Sequence, residues 1–262
     1  MRYAACVEYD GSNFSGWQAQ KHNVRTVQET VEAALARVAD HDTPIVTAGR
    51  TDRSVHATHQ IIHFDSNSDR SEFAWCRGTN RFLDHDVRLR WVVSIDDSFH
   101  ARFSALSRSY RFIIHNAPIK SALYRNHATH EHEKLDPNKM ARSGEALLGE
   151  HDFSSFRAAG CQAHSPIRTM HEFSLNSSGD WIWFDLKANA FLQHMVRNIA
   201  GCLIEIGSGK RSEQWLAELL EVKDRTKAGV TAAPNGLYLA GVEYPSEFSL
   251  PSKHKNVSFW GA

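Results

Sequence analysis

What this 262-residue sequence lacks narrows its class first. It holds only four cysteines, Cys6, Cys76, Cys161 and Cys202, and they are scattered with no paired spacing. That pattern excludes a disulfide framework or a zinc ribbon and points to reduced thiols in a cytoplasmic setting. No apolar run of ~18 residues and no signal-like start occur, so a soluble, unanchored protein is expected. An excess of charge is missing too: 30 basic and 30 acidic residues give a formal net charge of zero, which does not by itself announce a nucleic-acid binder. No internal repeat is evident.

Charge is distributed less evenly than its sum suggests. Between Asp97 and Glu131 there is no acidic residue, while Arg102, Arg108, Arg111, Lys120 and Arg125 all fall there. A segregated basic segment neutralises phosphates even on a neutral protein, and the bland alternative is a strand with a basic outer face.

Periodicity gives an α+β or α/β order of elements. Strands are expected at Tyr3–Tyr9, Ile45–Thr47, Gln60–Asp65, Val87–Ile95 and Ser109–His115, then Ile167–Leu175, Trp181–Ala188 and Leu237–Tyr244. Thr26 and Glu29 form a capping box before Val27, Val31, Ala34, Leu35 and Val38, which recur at helical spacing. Further helices are expected over Ser71–Leu83, from Asp136-Pro137 to a terminating Gly149, from Phe191 to Gly207 or Gly209, and after a Ser212 cap.

The stretch with most chemical promise is Thr47–Phe64, TAGRTDRSVHATHQIIHF. It sets the triplet Arg50-Thr51-Asp52 between a glycine-containing turn and a strand, the kind of place where scaffold elements position catalytic groups. Alone, such a triplet is more often a solvated pair or a turn-capping Asp.

GRTDRSVHATHQIIHF resembles the GRTDAGVHA signature loop of the TruA-type tRNA pseudouridine synthases. The likeness extends to VEYDGSNFSGWQAQ (Val7–Gln20), FHARFSALSRSYRF (Phe99–Phe112), LLGEHDFSSFR (Leu147–Arg157), KANAFLQHMVRNIAG (Lys187–Gly201) and GLYLAGVEY (Gly236–Tyr244), in the family's order. It implies a pseudouridine synthase fold of class α+β. Two related α/β halves, 1–105 carrying the Asp loop and 106–262 completing the cleft, share a central, mostly antiparallel sheet with the active site between them. It also implies a homodimer acting on the anticodon stem-loop of tRNA, at positions 38, 39 and 40.

Isomerising uridine to pseudouridine changes no redox state and calls for no metal, flavin or nucleotide cofactor. A carboxylate suffices as nucleophile, attacking ribose or uracil, and the resemblance gives that role to Asp52. An ionised, shielded Asp needs a cation partner, for which Arg197 is the candidate and Lys187 a weaker one. Tyr110 matches the family's active-site tyrosine, Leu239 an apolar pocket wall and Arg50 the arginine that assists base extrusion. Arg70 and the run Phe99, His100, Ala101, Arg102 and Phe103 match tRNA-contacting positions, and Gly160–His164 matches another more loosely. Arg53 and Ser54 depart from the family's Ala-Gly. If that glycine needs a positive φ, Ser54 costs about 1 kcal/mol or the turn changes.

Two rivals remain. His56, His59 and His63, or His127, His130 and His132, suggest a metal site, although a strand through the first set separates its members. The altered Arg53-Ser54 also suits a catalytically silent RNA-binding relative, or a paralogue acting on other RNA uridines. Because Asp52, Tyr110 and Arg197 are all present, activity is expected.

Overall fold

The computed structural model describes residues 1–21 and 24–251. Contacts divide it into two compact units, Met1–Leu106 with residues 238–251, and Ser107–Leu237.

In the first unit, β1 (Arg2–Tyr9), β2 (Ile45–Thr47), β3 (His56–Asp65), β4 (Val87–Ile95) and β10 (Leu237–Glu243) follow the order β4-β1-β3-β10, with β2 also on β3. β1 is antiparallel to both neighbours, whereas β10 joins β3 in parallel through Tyr238↔His56 and Leu239↔Ala57. Helices α1 (Val27–Ala39) and α2 (Glu72–Phe82) belong to this unit. The Thr26 hydroxyl caps α1 at the Glu29 amide and also bonds the Glu29 carboxylate, an arrangement contributing about 1 kcal/mol. Ser71 caps α2 at the Ala74 amide. Val27, Val31, Ala34 and Leu35 bury the apolar stripe of α1, and Trp75 anchors α2 against Tyr3 and Phe64.

The second unit orders β5 (Ser107–Asn116), β9 (Trp181–Ala188), β8 (Ile167–Ser178) and β7 (Gly149–Asp152) as β5-β9-β8-β7, all antiparallel. β6 (Thr129–Glu131) lies parallel on β5. α3 (Pro137–Gly144), α4 (Met195–Gly207) and α5 (Trp215–Val222) complete it. Cross-strand pairing puts Tyr110, Phe112 and Ile114 on the same face as Leu186, Phe184 and Ile182. Phe173 of β8 shares that face and meets Gly144 of α3, so this is the helix-covered side.

Several elements differ from the sequence expectation. β3 begins at His56 rather than Gln60, because β1 and β10 pair with its first residues from either side. The helix after Asp136 ends at Gly144 and tightens into a 3-10 turn, Glu145–Leu147, while Gly149 (φ 97°) opens β7 instead of closing a helix. Phe191 and Leu192 continue the apolar spacing of α4 yet precede it, since His194 turns left-handed at φ 61°. Gln214, not Ser212, flanks α5, and Ser212 contributes only its carbonyl, to Trp215 N–H. Among the described residues no helix is long and apolar enough to cross a membrane.

Candidate active site

Asp52 lies on the eight-residue link between β2 and β3, and backbone bonds rather than regular structure hold that link in place. Ala48 N–H donates to Ile61 O (2.8 Å), Trp17 N–H to Thr51 O (3.0 Å), Ser54 N–H to Phe14 O (3.3 Å) and Val55 N–H to Asp52 O (3.2 Å). Gln60 Nε2 donates to Gly49 O at 2.6 Å. The Thr51 hydroxyl, buried, lies 2.7 Å from Tyr9 Oη. Two glycines of the loop after β1 make this approach possible: a Cβ on Gly11 would fall 2.0 Å from Val55 O, and Gly16, at φ 102°, would meet Thr51 O at 3.0 Å. Asp52 is therefore half-buried on a link fixed at both ends, while Arg50 and Arg53 are exposed.

Ser54, where the family pattern has glycine, adopts φ 61°. The left-handed turn is kept, at the cost of about 1 kcal/mol of backbone strain that glycine would not pay.

Beyond β4, residues Phe99–Phe103 form a turn stabilised by two imidazoles. His63 Nδ1 accepts from Ala101 N–H (3.0 Å), and Tyr244 Oη donates to Ala101 O (2.6 Å). Burial, with Arg2 and His100 nearby, pushes the His63 pKa down to about 4, which keeps its Nδ1 free to accept. His100 Nδ1 lies 3.2 Å from both the Arg102 and Phe103 amides, and its ring stacks on Phe103 at 4.4 Å. Phe99 and Ala101 are fully buried, so they anchor the turn. Phe103, 76% exposed, and the Arg102 guanidinium 5.5 Å from its ring face outward. A flat ring beside a cation suits nucleic acid. Arg70, also exposed, precedes α2. Leu239, fully buried, pairs with Ala57 just after the Asp52 link.

In the second unit, Tyr110 is half-buried on β5 and packs edge-on against Phe191 at 4.9 Å. Arg197 sits in the first turn of α4, where its Nε donates to Ala232 O (2.9 Å) and its own carbonyl accepts from Ala232 N–H. The next residue, Asn198, is fully buried: its Nδ2 donates to Phe156 O, and its Oδ1 accepts from Arg225 and Thr231. These bonds fix the helix start that carries Arg197. Lys187 pairs in register with Ser109, which puts it on the sheet face opposite Tyr110, 3.2 Å from Glu172 Oε1. In the loosely matched segment, Arg157 donates to the Cys161 and Ala163 carbonyls.

One expectation needs correction, and the expected separation of the first histidine set by its strand is seen. Arg111, counted in the basic segment, is buried and doubly bonded to Asp185 at 2.7 Å, so it offers phosphate little charge. The histidines His56, His59 and His63 all lie on β3, whose alternation sends His56 to one face and the other two to the opposite one. Their rings pack separately, on Tyr238 (4.6 Å), Trp91 (6.4 Å) and His100 (4.9 Å). Of the second set, His130 bonds Ala117 O and His132 approaches Glu131. The supports supplied by Tyr9, Trp17, His63 and Asn198 were not foreseen. Only polar residues placed among apolar strand and helix positions hinted at them.

A family profile described as tRNA pseudouridine synthase matches residues 5–104 and 145–245. A tRNA pseudouridine synthase A from Colwellia psychrerythraea is 49% identical over 259 residues, covering 99% of this chain and 100% of its own length. One from Nitrosococcus oceani is 49% identical over 260 residues, with 99% and 100% coverage. One from Pseudoalteromonas atlantica is 50% identical over 251 residues, with 96% and 95% coverage. On this full-length likeness, the chain belongs to the tRNA pseudouridine synthase family.

Proposed function

We propose that this chain isomerises uridine to pseudouridine at positions 38, 39 and 40 in the anticodon stem-loop of tRNA, with Asp52 as nucleophile and Tyr110 and Arg197 serving the same reaction. The observation that carries the proposal is the Asp52 link itself: a half-buried carboxylate on a segment immobilised by Tyr9, Phe14, Trp17 and Gln60. Orientation fixed before substrate arrives lowers the barrier of a displacement step.

The reaction breaks the C1′–N1 glycosidic bond, turns the freed uracil and joins C1′ to C5, while C5 loses its proton and N1 gains one. Asp52 attacks ribose or uracil, forms a covalent intermediate and is released when the carbon link closes. Arg197, its helix start fixed by the Ala232 and Asn198 contacts, offers a guanidinium to the same reaction. Tyr110 offers a flat face to the extruded uracil and a hydroxyl for hydrogen bonding. Arg50, exposed beside Asp52, takes the place of the flipped base. Base extrusion costs a few kcal/mol, which contacts from Arg70, Arg102 and Phe103 offset. Leu239 lines the pocket. Lys187, ion-paired with Glu172 on the other sheet face, stands outside this group.

The motif-level resemblance also supports a homodimer, and four free thiols support action in the reducing cytoplasm. Mapping pseudouridines in tRNA from cells with and without the protein tests the proposal. Loss confined to positions 38 to 40 is expected, and loss only at other sites overturns the positional assignment.

A further inference from the structure

We propose that the outward face of α2 is a phosphate-binding strip for the body of the tRNA substrate, formed by Phe73, Arg77 and Arg81. These three, with Arg70 just ahead of the helix, recur every three or four positions and so form one stripe. All are exposed, Phe73 at 68%. The inward side of the helix is already committed. Trp75 and Thr79 are fully buried, Gly78 abuts Val38 of α1, and Asn80 bonds Leu89 of β4.

The acids of α1 and α2 are engaged elsewhere. Glu72 accepts from Ser94 N–H at 2.7 Å, Glu29 bonds Thr26, and Glu32 accepts from Gln28 and from Ile45 N–H. Among the described residues no carboxylate lies within ion-pair distance of Arg77 or Arg81. The Arg77 guanidinium instead lies 5.4 Å from the Phe73 ring, and Arg37 of α1 lies 5.0 Å from Phe82, itself 45% exposed at the strip's edge. Open aromatic rings under unneutralised guanidinium groups match a ribose–phosphate chain, which needs cations for its phosphates and flat apolar faces for its sugars or bases. Charge complementarity thus favours nucleic acid over an apolar protein partner.

Placement within the unit says which step the strip serves. α2 packs on β4, the outermost strand of the unit, and β1 separates β4 from β3, whose start carries the Asp52 link. The strip lies on the face of α2 turned away from that sheet, about a helix diameter or ~10 Å from it, which keeps the strip off the reacting nucleotide. It holds tRNA and takes no part in the chemistry.

The proposal rests on tRNA being the substrate, and the test separates the two. The Arg77→Ala/Arg81→Ala variant and wild type are titrated with full-length tRNA across a salt series. Each lost phosphate contact lowers the slope of log K against log salt by about 1. The double variant is expected to lose about 2 in slope and roughly 10- to 50-fold in affinity near 0.1 M salt, with KM rising in parallel and kcat held. Arg77→Lys/Arg81→Lys restores the slope, while Arg142→Ala, removing an exposed arginine paired with Glu213, keeps the wild-type slope. An unchanged slope overturns the proposal, as does a fall in kcat at unchanged affinity. A change in sedimenting mass at unchanged slope also overturns it and makes the strip a contact with a second copy. Wild type that neither binds nor modifies tRNA overturns the substrate assignment instead.

Discussion

The two units hold their chemical groups by different means. Asp52 sits on irregular chain, and its place depends on contacts from β1 and the loop after it, distant in sequence, and from β3, which follows the link. Tyr110 and Arg197 sit on a regular strand and a regular helix, so local hydrogen bonding fixes their backbones and only their side chains need further support. The helices on the outside differ as well: α2 shows solvent Phe73, Arg77 and Arg81, whereas α5 shows Glu218 and Glu221. A carboxylate held by many remote contacts is harder to replace without collateral damage than a side chain projecting from a helix.

That contrast orders the predictions. The largest effect belongs to Asp52→Asn, which keeps shape and hydrogen-bonding capacity but removes the nucleophile. Initial rates on tRNA should fall by ~10⁴-fold or more. Arg197→Lys on the regular helix should cost about 10²-fold in kcat with little loss of stability, since a lysine keeps charge but not the guanidinium geometry.

The support of the irregular link is tested by two glycines. Gly11→Ala forces a Cβ within 2.0 Å of Val55 O, whereas a Cβ at Gly49 meets nothing within 4 Å. Urea denaturation should show Gly11→Ala destabilised by about 3 kcal/mol and Gly49→Ala by less than about 1 kcal/mol. Equal sensitivity at both would break the comparison.

His63 gives a pH signature to the first unit. Its folded pKa, about 4, lies below the ordinary imidazole value because of burial and then of Arg2 and His100. Between those two values the unfolded chain binds more protons. This contribution to stability is therefore complete above pH ~6.5 and is lost as the pH falls toward 4. Denaturation midpoints at pH 7.5 and 5 should diverge less in His63→Gln, whose amide oxygen can still accept from Ala101 N–H. The smallest effect is a gain: Ser54→Gly relieves the φ of 61° and should stabilise by about 0.5–1 kcal/mol in the same assay.

Much of the fold was legible because local rules sufficed. Ile45–Thr47, Val87–Ile95 and Trp181–Ala188 are strands with the expected limits, and Thr26 caps the helix it was expected to cap. What escaped depends on partners far away in sequence. β6 and β7, of three and four residues, exist through pairing with β5 and β8, and the first half of β3 through β1 and β10. The early start expected for α4 came from Phe191, whose apolar character serves Tyr110 rather than helix packing. Asp52, Arg197 and Tyr110 were singled out through motif resemblance, since no single residue pattern distinguished them. The bonds from Tyr9, Trp17 and Asn198 that steady them left no sequence signal beyond polar groups in apolar settings.

The most direct measurement compares wild type with Asp52→Asn for tritium release from uracil C5 in labelled tRNA, both at the same tRNA occupancy. Release by wild type and none by the variant is the predicted result. Release by Asp52→Asn at a comparable rate would show that the carboxylate at 52 is not the nucleophile.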